Sequence, residues 1–216
     1  MTIRYILIIL LSLLLVACQL SSISTGFFDT PSGAVLYQDD FSDSSSGWEI
    51  YSDDDIGTMD YFDGYYRIHV LGEYQYLTTG PGLNFSNVTV AVDSIKVIGT
   101  SNDMYGLVCR ATNPDNFYFF VVSSDGYYGI GKVIAGVQSM IASDGMLPSE
   151  IISQGKAKNH LVAQCIDDQL ALYVNGQHLT SVKDPDLDKG DAGLLVGTMR
   201  DEESVVLFDN FSVINP

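Results

Sequence analysis

Three dipeptides, Asp63-Gly64, Asp125-Gly126 and Asn175-Gly176, each stand between two runs rich in β-branched and aromatic residues. Asp or Asn followed by Gly tolerates the positive φ values of a tight hairpin turn, so this is the strongest short-range signal for paired antiparallel strands. The flanking runs are residues 58–62 and 65–70, then 117–123 and 127–133, then 170–174 and 177–182. Further strands read at 88–92, 94–97, 107–110, 161–165, 193–198 and 205–213. Residues 117–122, Phe-Tyr-Phe-Phe-Val-Val, are continuously apolar, as expected of a strand buried on both faces. Only residues 148–153 read as helical, and for a single turn. Ten or more short strands at this spacing predict an all-β, antiparallel sandwich or barrel.

The first seventeen residues follow another logic. Arg4 precedes an apolar run from Tyr5 to Val16, and Leu15-Val16-Ala17 leads directly into Cys18. A basic start, a short apolar stretch and small residues at its end are the parts of an export signal. The stretch is too short to cross a hydrocarbon core of about 30 Å comfortably. With cysteine placed directly after Val-Ala, the segment resembles a bacterial lipoprotein signal. That resemblance implies cleavage after residue 17, a lipid (diacylglycerol, with palmitate-type acyl chains) on Cys18, and a domain held outside the cytoplasm on a membrane. Residues 18–34 then read as a lipidated N-terminus and Ser/Thr/Gly/Pro-rich tether, and 35–216 as one β-domain.

Charge excludes partners here more than it selects them. The chain carries 27 acidic and 10 basic residues, for a formal charge of −17; losing the leader removes only Arg4 and makes it −18. Such a surface repels phosphate backbones, so no nucleic-acid partner is expected. It suits a neutral ligand such as a polysaccharide, or a cation. With Cys18 assigned to lipid, Cys109 and Cys165 remain as an even pair in an oxidising compartment. They read either as a disulfide between neighbouring strands or as two buried thiols.

Several segments, in order, carry a wider resemblance. The domain opens with Asp39-Asp40-Phe41 and Ser46-Gly47-Trp48 and closes with Phe208-Asp209-Asn210-Phe211-Ser212-Val213. Between them stand Gly106-Leu107-Val108-Cys109-Arg110, Asn116-Phe117-Tyr118 and Leu170-Ala171-Leu172-Tyr173-Val174-Asn175-Gly176. This order resembles the concanavalin A-like lectin/glucanase superfamily, in its laminin-G-like and keto-disaccharide-hydrolase-like branch. The resemblance implies a jelly-roll of two curved antiparallel sheets with first and last strands side by side. It also implies a structural calcium where those strands meet, for which Asp40 and Asp209 are the positions. Function does not follow from such a fold, because lectins, glycosidases and adhesion domains share it.

The candidate side chains divide by chemistry. Trp48, the one tryptophan, reads as core or as a stacking platform. Among thirteen tyrosines, Tyr74, Tyr76, Tyr118 and Tyr128 are the candidate sugar contacts, with Tyr74 and Tyr76 expected on one strand face. The other reading is that tyrosine simply suits a half-wet strand. A glycosidase needs two carboxylates at about 5–10 Å. The Glu-x-Asp-x-Glu strand of family 16 glucanases does not occur, and Asp53-Asp54-Asp55 and Asp167-Asp168 read as solvated turns. His69, His160 and His178 lack a nucleophile elbow, so no catalytic residue is assigned. The reading is a non-catalytic, membrane-anchored binding domain for carbohydrate or another envelope ligand. The alternatives are a glycosidase-like enzyme and an adhesive protein-binding domain.

Overall fold

The dipeptide turns close as their backbone preferences dictate. The computed structural model describes residues 32–200 and 203–216; the leader, Cys18 and the tether to residue 31 lie outside them. Asp63 and Gly64 stand at φ 52° and 78° between Phe62 and Tyr65, which face each other across the ladder. Asn175 and Gly176 repeat this at 51° and 79° between Val174 and Gln177. Asp125-Gly126 belongs to a longer turn: Gly126 alone takes positive φ, 92°, and its N–H donates to the Ser123 carbonyl at 3.0 Å. Ala135-Gly136 makes another two-residue turn, at 50° and 78°, with no Asn or Asp to announce it.

The described residues form β1 (Val35–Asp39), β2 (Tyr51–Asp53), β3 (Gly57–Phe62), β4 (Tyr65–Leu71), β5 (Tyr76–Thr79), β6 (Val88–Ile98), β7 (Met104–Asn113) and β8 (Asn116–Ser123). They continue with β9 (Tyr127–Ile134), β10 (Val137–Met140), β11 (Leu147–Pro148), β12 (Lys158–Ile166), β13 (Gln169–Val174), β14 (Gln177–Lys183), β15 (Asp191–Gly197) and β16 (Glu203–Ile214). The two strands expected at 88–92 and 94–97 are one strand, β6. No described residue is helical; the turn expected at 148–153 instead begins with β11 and continues as turn and bend.

Two antiparallel sheets result. The first has the order β14-β13-β12-β6-β16-β4-β3-β2, with β1 on β16; the second is β10-β9-β8-β7-β15-β5, with β11 on β9. First and last strands therefore lie side by side, Asp39 opposite Phe211 and Val35 opposite Ile214. The architecture is a sandwich, not a barrel.

Alternation explains what fills it. In β8, Tyr118, Phe120 and Val122 point into the layer between the sheets, whereas Phe117, Phe119 and Val121 point out of the second sheet. The outward set is nevertheless buried, because Met140, Met146, Met199 and Tyr76 lie over it. This is why the strand is apolar on both sides. Trp48 belongs to the inter-sheet core: its indole N–H donates to the Tyr37 hydroxyl at 2.9 Å and its ring packs on Phe41, Tyr66 and Phe211.

Cys109 and Cys165 are disulfide-bonded. They sit on β7 and β12, in different sheets, so the bond staples the two layers together and does not join neighbours within one, as the sequence reading expected. Near the other end, Lys96 stands on the inward row of β6 with Val88, Val90, Val92 and Ser94. Its ammonium meets Asp103 at 2.8 Å and also donates to the Thr100 carbonyl.

The sandwich has two unlike ends. At one, Val35, Ile214 and Thr89 share a row, and Gly33 N–H donates to the Asn215 carbonyl at 2.8 Å. Loop 80–87 enters β6 there, and loop 184–190 enters β15. Loop 99–103, which joins β6 to β7, closes the opposite end.

Candidate functional site

An open cavity of about 510 Å³ lies at the first of these ends, on the outer side of the second sheet. Loop 80–84 forms one wall, Lys189 to Ala192 another, and Ala111 to Pro114 of the β7–β8 hairpin a third. Thr78 of β5 and Val108 of β7 contribute from the sheet itself.

Asp191 holds two of these walls together. Its Oδ2 accepts from Gly82 N–H at 2.8 Å, and its Oδ1 from Leu83 N–H at 3.1 Å and Ala192 N–H at 2.9 Å. Burial pushes its carboxyl above the usual carboxylate range, and the three N–H bonds offset this only in part. Phe85 and Gly190 add a reciprocal pair of backbone bonds, 2.8 and 2.9 Å. Gly190 has no room for a side chain, since a Cβ would lie 2.5 Å from the Arg110 carbonyl carbon and 2.6 Å from the Ala111 oxygen.

Polar groups with spare capacity face this space. Thr78, Asn84 and Lys189 line it, and none has a side-chain hydrogen bond or ion pair within the described residues. Val108, Ala111, Ala192 and Leu83 supply aliphatic surface. Asp191 is the one carboxylate in the lining, and no aromatic ring is part of it. The arrangement offers hydrogen bonds and apolar contact, without a second carboxylate for general acid–base work.

A polar network, buried at Tyr118 and Asp184, braces loop 184–190. The Tyr118 hydroxyl donates to Asp184 Oδ1 at 2.7 Å and accepts from Leu187 N–H at 3.0 Å. Lys132 reaches Asp184 and Asp186, each at 2.6 Å. Burial, and then the Asp184 carboxylate, push the Tyr118 hydroxyl up to about 12. Asp184 is raised by burial but held below the ordinary range by hydrogen bonds from Lys132, Tyr118 and Asp186 N–H together.

The four candidate tyrosines do not gather. Tyr118 is fully buried, so it is structural and not a ligand contact. Tyr74 lies in the turn before β5 at φ 54°, is exposed, and accepts a bond from Arg200 Nε at 3.2 Å. It therefore does not share a strand face with Tyr76, which starts β5 and packs edge-on against Phe117 on the outer face. Tyr128, on β9, packs partly into the inter-sheet core. Of the four, Tyr76 is nearest the cavity in sequence pattern, two residues before Thr78 on the same side of β5.

Asp40 and Asp209 lie in different surroundings. Asp40 accepts from Ser42 N–H and hydroxyl and lines a depression with Gln38, Asn210 and Ser212. Asp209 stands opposite Asp93, on the outer face of the first sheet. Among the described residues no three His, Cys, Asp or Glu side chains are arranged to hold a metal. The histidines are tied up singly: His69 with Glu203, His160 with Asp93 and His178 with Ser181. Sequence reading passed over the cavity residues because they come from three distant segments, 78–84, 108–114 and 189–192; the glycines at 80, 82 and 190 were the available signal.

No protein-family model matches the chain, and no curated protein matches it in sequence. Solved structures do match its shape. A carbohydrate binding module, CBM66, of Bacillus subtilis superposes with a TM-score of 0.63 at 18% identity, over 78% of this chain and 95% of that one. A Bacillus subtilis protein of unknown function with a galectin-like fold gives 0.62 at 14%, over 86% and 97%. The catalytic domain of an endo-1,3-β-glucanase (laminarinase) from Thermotoga petrophila gives 0.56 at 11%, over 85% and 98%. The fold is thus a jelly-roll sandwich of the concanavalin A-like, galectin-like type.

Proposed function

We propose that this chain is a lipid-anchored, extracytoplasmic domain that binds a neutral saccharide in the cavity between loops 80–87 and 184–190. The observation that carries this reading is the lining: free Thr78, Asn84 and Lys189 side chains over an aliphatic floor, with the single carboxylate consumed by backbone N–H groups. Sugars present hydroxyls on their rims and C–H faces between them, which such a surface matches. Net charge of −17 favours an uncharged ligand over an acidic one. Structural likeness to a carbohydrate binding module supports a binding role, and the lone carboxylate argues against two-carboxylate hydrolysis at this place.

Native gel electrophoresis in matrices containing laminarin, xylan or galactomannan tests it. Migration of the wild-type protein slows in at least one matrix, and Asn84→Ala with Thr78→Val restores free migration. Unretarded wild type in every neutral matrix ends the saccharide reading. The anchor is tested separately: labelled palmitate is incorporated by the wild type in a bacterial host and not by Cys18→Ser. Equal incorporation by both removes the lipid from Cys18.

A further inference from the structure

Arg110 occupies a position that an ordinary strand residue would not. It lies where β7 leaves regular pairing with β8, at φ 53°, and is only 2% exposed. The left-handed region is disfavoured for an L side chain, and a buried charge is costly unless well bonded. Among the described residues Arg110 has no carboxylate within ion-pair distance. Its donors go to loop backbone instead. Nη1 donates to the Leu187 carbonyl at 2.8 Å, Nε to the Ser86 carbonyl at 3.2 Å, and Nη2 makes a longer contact, 3.4 Å, with Asn87 Oδ1.

Ser86 and Asn87 end the loop that carries one wall of the cavity, and Leu187 belongs to the loop that carries the other. Asn87 in turn accepts from Asp167 N–H at 2.8 Å, which extends the grip to the β12–β13 turn. Arg110 itself is not part of the cavity lining. Strain at a residue whose side chain adds a further bridge between two loops, already joined at Phe85 and Gly190, points to a fixed spacing between them.

We propose, on the basis of the saccharide reading above, that Arg110 is a positioning residue: from behind the cavity it clamps both walls at a set separation and so preforms the binding site. Planarity matters to this role. A guanidinium reaches two carbonyls in different directions with rigid donors, which a lysine ammonium on a flexible stem does less well. Preformed walls spare the ligand the cost of ordering them.

Amide hydrogen exchange of the whole protein with Arg110→Met and Arg110→Lys tests the clamp without any ligand. The informative amides are Gly82, Leu83, Phe85, Leu187 and Gly190, all bonded across or into the walls. In Arg110→Met they exchange at least about tenfold faster while the β8 amides keep their wild-type rates, and Arg110→Lys falls between. Where Arg110→Met does not fold, Arg110→Lys alone carries the comparison. Wall amides that stay at wild-type rates, or that rise by the same factor as β8, overturn the clamp. Retention on the polysaccharide gels, measured well below the melting temperature, should weaken about tenfold in the same variants. Wild type that is not retained fails the saccharide reading alone, and the exchange result still decides the clamp; retained wild type with equally retained variants overturns the clamp's role in binding.

Discussion

Replacing Asp103 by Asn should unfold this protein more readily than any surface change, because of where its partner sits. Lys96 is 4% exposed and Asp103 not at all, with 2.8 Å between Nζ and Oδ2. Asp103 Oδ1 also accepts Met199 N–H at 3.2 Å, a bond that Asn retains. What Asn removes is the compensating charge, leaving a buried ammonium facing an amide and the Thr100 carbonyl. Removing one partner of a buried ion pair costs about 3–5 kcal/mol. For a domain of this size that lowers the melting temperature by roughly 6–20 °C. Lys96→Met should cost about as much, since it strands the carboxylate. The double variant has no buried charge left, only an imperfectly bonded amide worth about 1–3 kcal/mol. The two costs together should therefore exceed that of the double variant by at least ~3 kcal/mol. Trp48, the one tryptophan, lies in the core at 3% exposure, so its fluorescence during urea unfolding reads all four states of the cycle. Additivity within about 0.5 kcal/mol, the expectation for independent sites, would refute the buried-pair argument.

Three further outcomes follow from particular residues. Removing the 109–165 bond by Cys109→Ala with Cys165→Ala frees a loop set by a separation of 56 residues, at about 4 kcal/mol by loop entropy; calorimetry that finds less than ~1 kcal/mol sinks that account. Ala135→Gly should raise stability by about 0.5–1 kcal/mol, because alanine at φ 50° pays for a left-handed turn that glycine adopts freely; a lower melting temperature would contradict it. Asp184 is held below the ordinary carboxylate range by Lys132, Tyr118 and Asp186 N–H against the opposing effect of burial. Its contribution is therefore complete above the unfolded value near 4 and is lost as pH falls through the lower folded one. The melting temperature of Asp184→Asn should fall less steeply than wild type below pH 4, and parallel curves would refute the linkage.

Turn chemistry made much of the fold readable. Asp63-Gly64 and Asn175-Gly176 declared their hairpins, and the doubly apolar run in β8 declared a strand covered on both sides. What escaped did so for physical reasons. Ala135 takes positive φ because the flanking β9 and β10 pairing demands it, and nothing in alanine reports that. β1, β2 and β5 are short, and the partners of β1 and β5, which are β16 and β15, lie far along the chain. The period-two argument for Tyr74 and Tyr76 failed because a turn, not a strand, holds Tyr74. Tyr118 was readable as a strand residue but not as an inward one, since β8 is apolar on both faces and alternation carries no sign there. The cysteine pair was legible, yet which layers it joins depends on long-range topology.

The placement of Gly33 beside Asn215 has a practical consequence. Both lie at the end of the sandwich that holds the cavity, so a fusion made at Gly33 leaves the domain from that end. A carrier protein or bead attached there would crowd the very opening to be assayed. Ser101, exposed in the loop at the opposite end, is where a label or solid support should be attached, clear of the buried Asp103 and with the cavity turned toward solution.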